Sequence, residues 1–222
     1  MLVKDFITKE IPVLKSFDTG DYALTLMDDF KQKQLPLVEG SVYKALISEK
    51  DLLALDNPFV PLQNLVPKRE NAPFLFPDQS VLDALAHIVR QQVSLLPVSN
   101  TKGEYLGVIT LDTLSKELSE LCGAETAGSA IVLELRATDY ALSDIVRILE
   151  SNQAHLLSML TKPQSETGKI LLLLKIDLED ASPVIRSFER FNYTVLYYFM
   201  KQGMIDDMLQ QRVNELFFYM NI

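Results

Sequence analysis

Leu35-Pro36-Leu37-Val38 returns 61 residues further on as Leu96-Pro97-Val98-Ser99. The same offset carries Pro12 onto Pro73, Thr19 onto Ser80 and Ala23-Leu24 onto Ala84-Leu85. One extra hairpin residue then makes the offset 62, which carries Leu46-Ile47-Ser48 onto Val108-Ile109-Thr110 and Leu52 onto Leu114. An internal repeat fixes the architecture before any single motif is weighed. Two copies predict two similar units about a pseudo-twofold axis. Clefts at such junctions are where small ligands usually bind.

Working outward, each copy reads β-α-β-β-α. In the first, Ile11 to Leu14 is a short strand, and Asp18-Thr19 caps a helix from Gly20 to Lys33 with Tyr22, Leu24, Met27 and Phe30 on its apolar face. Leu35 to Val38 is a buried strand, Glu39-Gly40-Ser41 has turn chemistry, Val42 to Ile47 is the hairpin partner, and Ser48 starts a helix through Leu53. In the second copy, Phe74 to Phe76 is a strand, Ser80 caps a helix through Ile88, and Val93–Val98 with Glu104–Ile109 forms the hairpin. A helix from Asp112 to Leu121 closes it. The repeats occupy 1–60 and 61–121.

Beyond them the pattern changes. Residues 122–128 are small and polar, as in a linker. Over 129–200 the order is strand, helix, strand, strand, helix, strand, the ferredoxin-like unit, with Ser182-Pro183 placing a proline in the first helical turn. Gly203 then opens a last helix over 203–220, with Ile205, Leu209, Val213, Leu216 and Phe217 along one stripe. The fold class expected is α+β.

The formal net charge of −9 argues against nucleic acid or an anionic membrane as partner. The apolar run Ile170 to Leu174 is strand-sized, and no run approaches the roughly 20 residues that span a bilayer. Lys4, Asp5, Lys9 and Glu10 break up the N-terminus, so no signal peptide is read. The single cysteine, Cys122, allows no internal disulfide and suits a reducing cytoplasm. Nothing reads as an active site. His87 and His155 sit within apolar periodicity and form no zinc-binding pair, and no phosphate loop or nucleophile elbow is present. Asp177, Glu179 and Asp180 precede a helix start, where acids are favoured.

Chemistry is carried by Ala45-Leu46-Ile47-Ser48-Glu49-Lys50-Asp51 and its counterpart Gly107-Val108-Ile109-Thr110-Leu111-Asp112-Thr113. Each has the form small residue, two apolar residues, hydroxyl, two variable residues, then (in the first) an acid. A strand end delivers the hydroxyl and the following helix start places the acid. A carboxylate suits the vicinal hydroxyls of a ribose, and a neighbouring lysine suits phosphate. Ser48 and Asp51 equally fit a helix cap.

With these elements in order twice over residues 1–121, the chain resembles a pair of cystathionine-β-synthase (CBS) domains, a family known to sense adenine nucleotides and related ligands. The resemblance implies ligand contacts at Ser48, Lys50 and Asp51, at the Leu35-Pro36 element, and at Thr110 in the second copy. Thr113 stands where the first copy has Asp51, and Asp112 where it has Lys50, so one competent cleft is expected, in the first copy.

The segment 129–200 resembles an ACT domain, a module that often binds amino acids. Its loop from Arg136 to Ala141 lacks the glycine usual at such sites. The layout as a whole is similar to that of acetoin-utilisation accessory proteins. The resemblances imply a cytoplasmic, non-catalytic regulatory protein with no required cofactor, forming a homodimer. The effectors implied are AMP, ADP, ATP or S-adenosylmethionine, and a protein partner would receive the signal. A scaffold with degenerate CBS sites, or an amino-acid sensor working through the ACT-like segment, are the alternatives.

Overall fold

The structure is a computed structural model that describes residues 1–64, 72–200 and the backbone of 203–205. It divides into two compact units, Met1–Glu117 and Leu118–Ile222.

In the first unit the repeat is visible as structure. One copy holds α1 (Gly20–Asp29), β1 (Gln34–Glu39), β2 (Val42–Ser48) and α2 (Glu49–Leu53). The other holds α3 (Val81–Gln91), β3 (Leu95–Ser99) and β4 (Tyr105–Thr110), and α4 (Leu111–Leu121) follows. Each hairpin is antiparallel with a register shift at the same place, between Leu37 and Val38 in one and between Val98 and Ser99 in the other. The opening strands expected at Ile11–Leu14 and Phe74–Phe76 each shrink to one parallel rung, Leu14 beside Leu37 and Leu75 beside Val98. Pro12, Pro73 and Pro77 lack the N–H groups that would extend those rungs. The rung itself is complete in both copies. Leu14 N–H donates to Pro36 C=O and Val38 N–H to Leu14 C=O, and Leu75 N–H and Ser99 N–H repeat this with Pro97 and Leu75.

Each repeat packs its first helix through three residues at matching positions: Gly20, Ala23 and Met27 in α1, and Val81, Ala84 and Ile88 in α3. Tyr22 and Phe30, expected on that face, are instead 49% and 43% exposed. α1 stops at Asp29 rather than Lys33, because Lys31 takes a positive φ of 52° that ends the helix. Thr19 and Ser80 cap α1 and α3 as the sequence indicates. Leu46, Leu95 and Val108 form a small core where the repeats meet.

The two repeats exchange their entry segments. Leu2–Thr8, with a 3-10 turn at Val3–Phe6, lies on the second repeat: Val3 N–H donates to Gln79 C=O, Lys4 N–H to Pro77 C=O, and Thr8 pairs with Val108 through both backbone bonds. Pro61–Gln63 does the same for the first repeat, with Leu62 N–H on Asp18 C=O and Gln63 N–H on Ser16 C=O. Sequence spacing alone assigns Met1–Thr8 to the first copy; hydrogen bonding assigns it to the second.

The second unit contains β5 (Ser129–Arg136), α5 (Leu142–Ser151), β6 (Leu156–Pro163), β7 (Lys169–Ile176), α6 (Ser182–Arg190), β8 (Thr194–Met200) and β9 (Gly203–Ile205). The sheet is antiparallel in the order β6-β7-β5-β8-β9. Its first four strands and two helices make the expected βαββαβ unit. Ile145, Ile148 and Leu149 of α5 and Val184, Ile185 and Phe188 of α6 pack on Ile131, Leu133, Leu172 and Leu174 of the sheet. Full burial of such side chains is worth about 1.5–3 kcal/mol each. Gly203–Ile205, where a helix was expected to open, is an edge strand pairing with Tyr198–Met200. No capping residue precedes Gly203, and Ile205 is β-branched, so an extended edge satisfies this stretch better than a helical turn. The rest of the expected helix, 206–220, lies outside the described residues. Among the described residues no helix is long and apolar enough to cross a membrane.

Candidate ligand clefts

β2 ends at Ser48, whose hydroxyl caps α2: it accepts the Asp51 N–H at 3.1 Å and donates to Asp51 Oδ2 at 2.8 Å. Sequence pattern and structure agree that Ser48 and Asp51 meet, and the meeting is also a helix cap. Lys50 is exposed beside them. α2 has only five residues, so its dipole is small and the Lys50 ammonium is the main positive group there.

The other residues implied by resemblance lie apart from this pair. Leu35 is fully buried and Pro36 is buried with it, opposite Ile47 and Leu46 in the hairpin. Their side chains offer a ligand no surface; they are part of the buried strand paired with the one that ends at Ser48. Thr110 is 8% exposed and caps α4, accepting Thr113 N–H at 3.1 Å, with its hydroxyl 2.9 Å from that of Thr113. The second copy therefore repeats the cap but places a hydroxyl where the first has a carboxylate, next to the exposed Asp112.

Sequence reading passed over two residues at the repeat junction. Gln34 Oε1 accepts from Ser94 N–H at 3.0 Å and from Ser94 Oγ at 2.8 Å. Its signal was an amide at a strand start where the second copy has Leu95. Tyr105 is the counterpart of Tyr43, 62 residues on. Tyr43 donates to Pro73 C=O at 3.0 Å, whereas the buried Tyr105 hydroxyl finds no hydrogen-bond partner among the described residues. Burial pushes the Tyr105 phenol up to about 12. A buried unpaired hydroxyl costs roughly 1–3 kcal/mol, and a satisfied one contributes about 1. Tyr105→Phe is therefore expected to gain about 1 kcal/mol and Tyr43→Phe to lose about as much. Urea denaturation of both variants checks this; loss of stability in Tyr105→Phe overturns it.

In the second unit a cleft of about 530 Å³ opens at the end of β5 and the start of β8. Its charges balance. Arg136 and Asp139 line it beside the Asp144–Arg147 pair at 3.1 Å and the Glu134–Lys169 pair. Arg136 has no ion-pair partner among the described residues. The Tyr193 phenol is raised by partial burial and by the nearby Asp144 carboxylate.

His155 and Asp177 also pair. His155 N–H donates to Asp177 Oδ1 at 2.8 Å, and His155 Nδ1 lies 2.7 Å from Oδ2. The backbone bond chiefly holds the Asp177 carboxyl below its usual range, so the pairing stabilises above the ordinary carboxylate pKa and is lost as pH falls through the lowered one. It joins the start of β6 to the end of β7 on an exposed edge. Among the described residues no cluster of histidine, cysteine and acids fits a metal ion.

Residues 66–120 match the family model of the CBS domain. Among solved structures the chain is similar to a CBS domain pair/ACT domain protein from Thermotoga maritima, at 21% identity over 54% of this chain and 98% of that one, with a TM-score of 0.48. It is similar to CBSX2, solved in complex with AMP, at 22% identity over 54% and 96% of the two chains and a TM-score of 0.47. A protein of Methanocaldococcus jannaschii described as a putative archaeal homologue of the AMPK γ subunit matches at 16% identity over 53% and 47%, with a TM-score of 0.47.

Proposed function

We propose that the chain is a regulatory, non-catalytic protein whose first-repeat cleft takes an adenine nucleotide or related adenosyl ligand. Ser48 and Asp51 hold the ribose hydroxyls and Lys50 holds phosphate. The observation that carries this reading is the contact of Ser48 with Asp51 at 2.8 Å beside an exposed ammonium, a set that the second copy lacks. The ligand hydroxyls would replace the Ser48 hydroxyl as donors to the carboxylate. Binding would change the geometry of the repeats in a cytoplasmic homodimer, and only to the extent that affinity differs between the two arrangements.

Thermal unfolding with AMP, ADP, ATP and S-adenosylmethionine tests it. A ligand at 100 times its Kd adds about 2.7 kcal/mol, a shift of several degrees for a unit of this size. The shift is expected with at least one of them and should vanish in Asp51→Ala, whose own melting stays within a few degrees of the parent. Equal affinity in Asp51→Ala would move the ligand elsewhere.

A second reading has its own observation. The charge-balanced cleft of the second unit, with Arg136 at its side without an ion-pair partner among the described residues, complements a zwitterion, and an amino acid is the simplest one. A stability shift with an amino acid alone would transfer the sensing role there. No shift with any ligand would favour a dimerisation scaffold.

A further inference from the structure

A polar side chain outside the Ser48-to-Asp51 motif stands beside it in the hairpin. Gln34 stands directly opposite Ser48 in the β1–β2 register. Directly opposite residues of an antiparallel pair share one face, with Cβ atoms about 5 Å apart. The Gln34 and Ser48 side chains therefore leave the hairpin on the same face, and Ser48 in turn bonds Asp51.

The orientation of that amide is fixed by chemistry. Ser94 presents its backbone N–H, which can only donate, 3.0 Å from the Gln34 side chain, so the carbonyl oxygen must face it. The Ser94 hydroxyl adds a second bond to the same oxygen at 2.8 Å. Ser94 is itself held, because its carbonyl accepts the Leu111 N–H at 2.8 Å where α4 begins. With the oxygen committed, the amide NH2 is left as a donor, and it has no hydrogen-bond partner among the described residues.

We infer that Gln34 is a specificity-determining residue of the first cleft, presenting a fixed N–H donor to an acceptor atom of the bound nucleotide. This rests on the nucleotide reading given above. It separates the two copies further, since the position opposite Thr110 is Leu95, which has nothing to donate.

The donor accounts for a selectivity that Lys50 cannot supply. An ammonium on a flexible stem attracts any phosphate, whereas an amide locked by two bonds rewards an acceptor in one place and penalises a donor there.

Calorimetric titration with AMP tests the inference on the parent protein, Gln34→Glu and Gln34→Leu. Gln34→Glu keeps an oxygen for Ser94 and exchanges the donor for an acceptor. Gln34→Leu copies the second repeat and adds no charge. Both are expected to lose about tenfold or more in AMP affinity, the worth of one hydrogen bond to a charged or strongly polar group. The loss in Gln34→Glu should persist at high salt, where simple repulsion between a surface carboxylate and phosphate is screened. Affinities within twofold of the parent in both variants, with Asp51→Ala still defective, would overturn the role of Gln34 and leave the nucleotide site standing. A loss in Gln34→Glu alone that disappears at high salt would also overturn it, as charge alone would explain it. Absence of AMP binding by the parent would sink both readings together.

Discussion

Gly107→Ala is expected to destabilise the first unit by about 3 kcal/mol and to lower its melting temperature by about 10 °C. Gly107 has φ +144°, and a Cβ there would lie 2.4 Å from Ile7 Cγ2 and 2.6 Å from the Thr8 carbonyl oxygen. The isoleucine methyl can swing aside. The Thr8 carbonyl cannot, because it accepts the Val108 N–H at 3.0 Å while Thr8 N–H donates to Val108 at 2.9 Å. Alanine must therefore either strain the bulge of β4 or lift Leu2–Thr8 from the second repeat. Lifting it exposes Val3, now fully buried, which alone costs about 1.5–3 kcal/mol. The reverse change in the other copy, Ala45→Gly, calls for no such rearrangement, since Ala45 already fits its hairpin at 1% exposure. It should cost within about 1 kcal/mol, the ordinary penalty of an added glycine. Thermal melting of the two variants, with proteolysis near residue 8 as a second readout, checks the contrast. Equal effects would mean that the entry segment is not what Gly107 accommodates.

The contrast also shows where sequence reading succeeded. Paired Leu-Pro elements and the hydroxyl at each hairpin end were legible because both obey local rules: a short continuous apolar run in a buried strand, and a cap ahead of a helix. The exchange of entry segments was not legible, because it is made by backbone groups, Val3 on Gln79 and Leu62 on Asp18, that leave no mark on residue type. Gly107 was the one clue. It reads as a glycine beside an alanine at matched positions, and only the crossing of Ile7-Thr8 explains why one copy cannot carry a methyl group. At the candidate site the Ser48–Asp51 contact was legible from a spacing of three. Leu35 to Val38 reads as a buried strand, and the structure buries it; the ligand contact that the family resemblance implies at Leu35-Pro36 conflicts with that reading, since a strand apolar at four successive positions is usually covered on both faces. Gln34 was missed for a different reason. Its importance comes from Ser94, 60 residues away, and no local pattern couples the two.

Gly128→Ala is expected to have the larger effect, about 4 kcal/mol or more, and to fall on the second unit alone. Small polar composition marked 122–128 as a linker, yet the stretch is built into its unit. Ser158 donates to the Cys122 carbonyl at 2.7 Å, and Gly123 is buried near Leu157 and Lys175. At Gly128, φ is +131°, and a Cβ would lie 2.0 Å from the Ile176 carbonyl oxygen and 3.1 Å from Asp177 Cα. The three nearest atoms are all backbone, so no side chain can yield. Ser129, the next residue, opens the central strand β5 opposite Ile176, is fully buried, and donates to the Glu179 carbonyl at 2.8 Å. Displacing Gly128 therefore shifts the strand that pairs with both β7 and β8. Gly123→Ala supplies the comparison from the same stretch. Its φ of +64° is left-handed, but the nearest atoms to a Cβ stand at 3.7 Å, so only the backbone preference of about 1 kcal/mol is lost. Scanning calorimetry should show the transition of the Met1–Glu117 unit in place and that of the second unit lowered or absent in Gly128→Ala, with Gly123→Ala close to the parent. If both glycines proved equally tolerant, 122–128 would be the free connection that its composition suggests, and the close approach at Ile176 would not govern how β5 is seated.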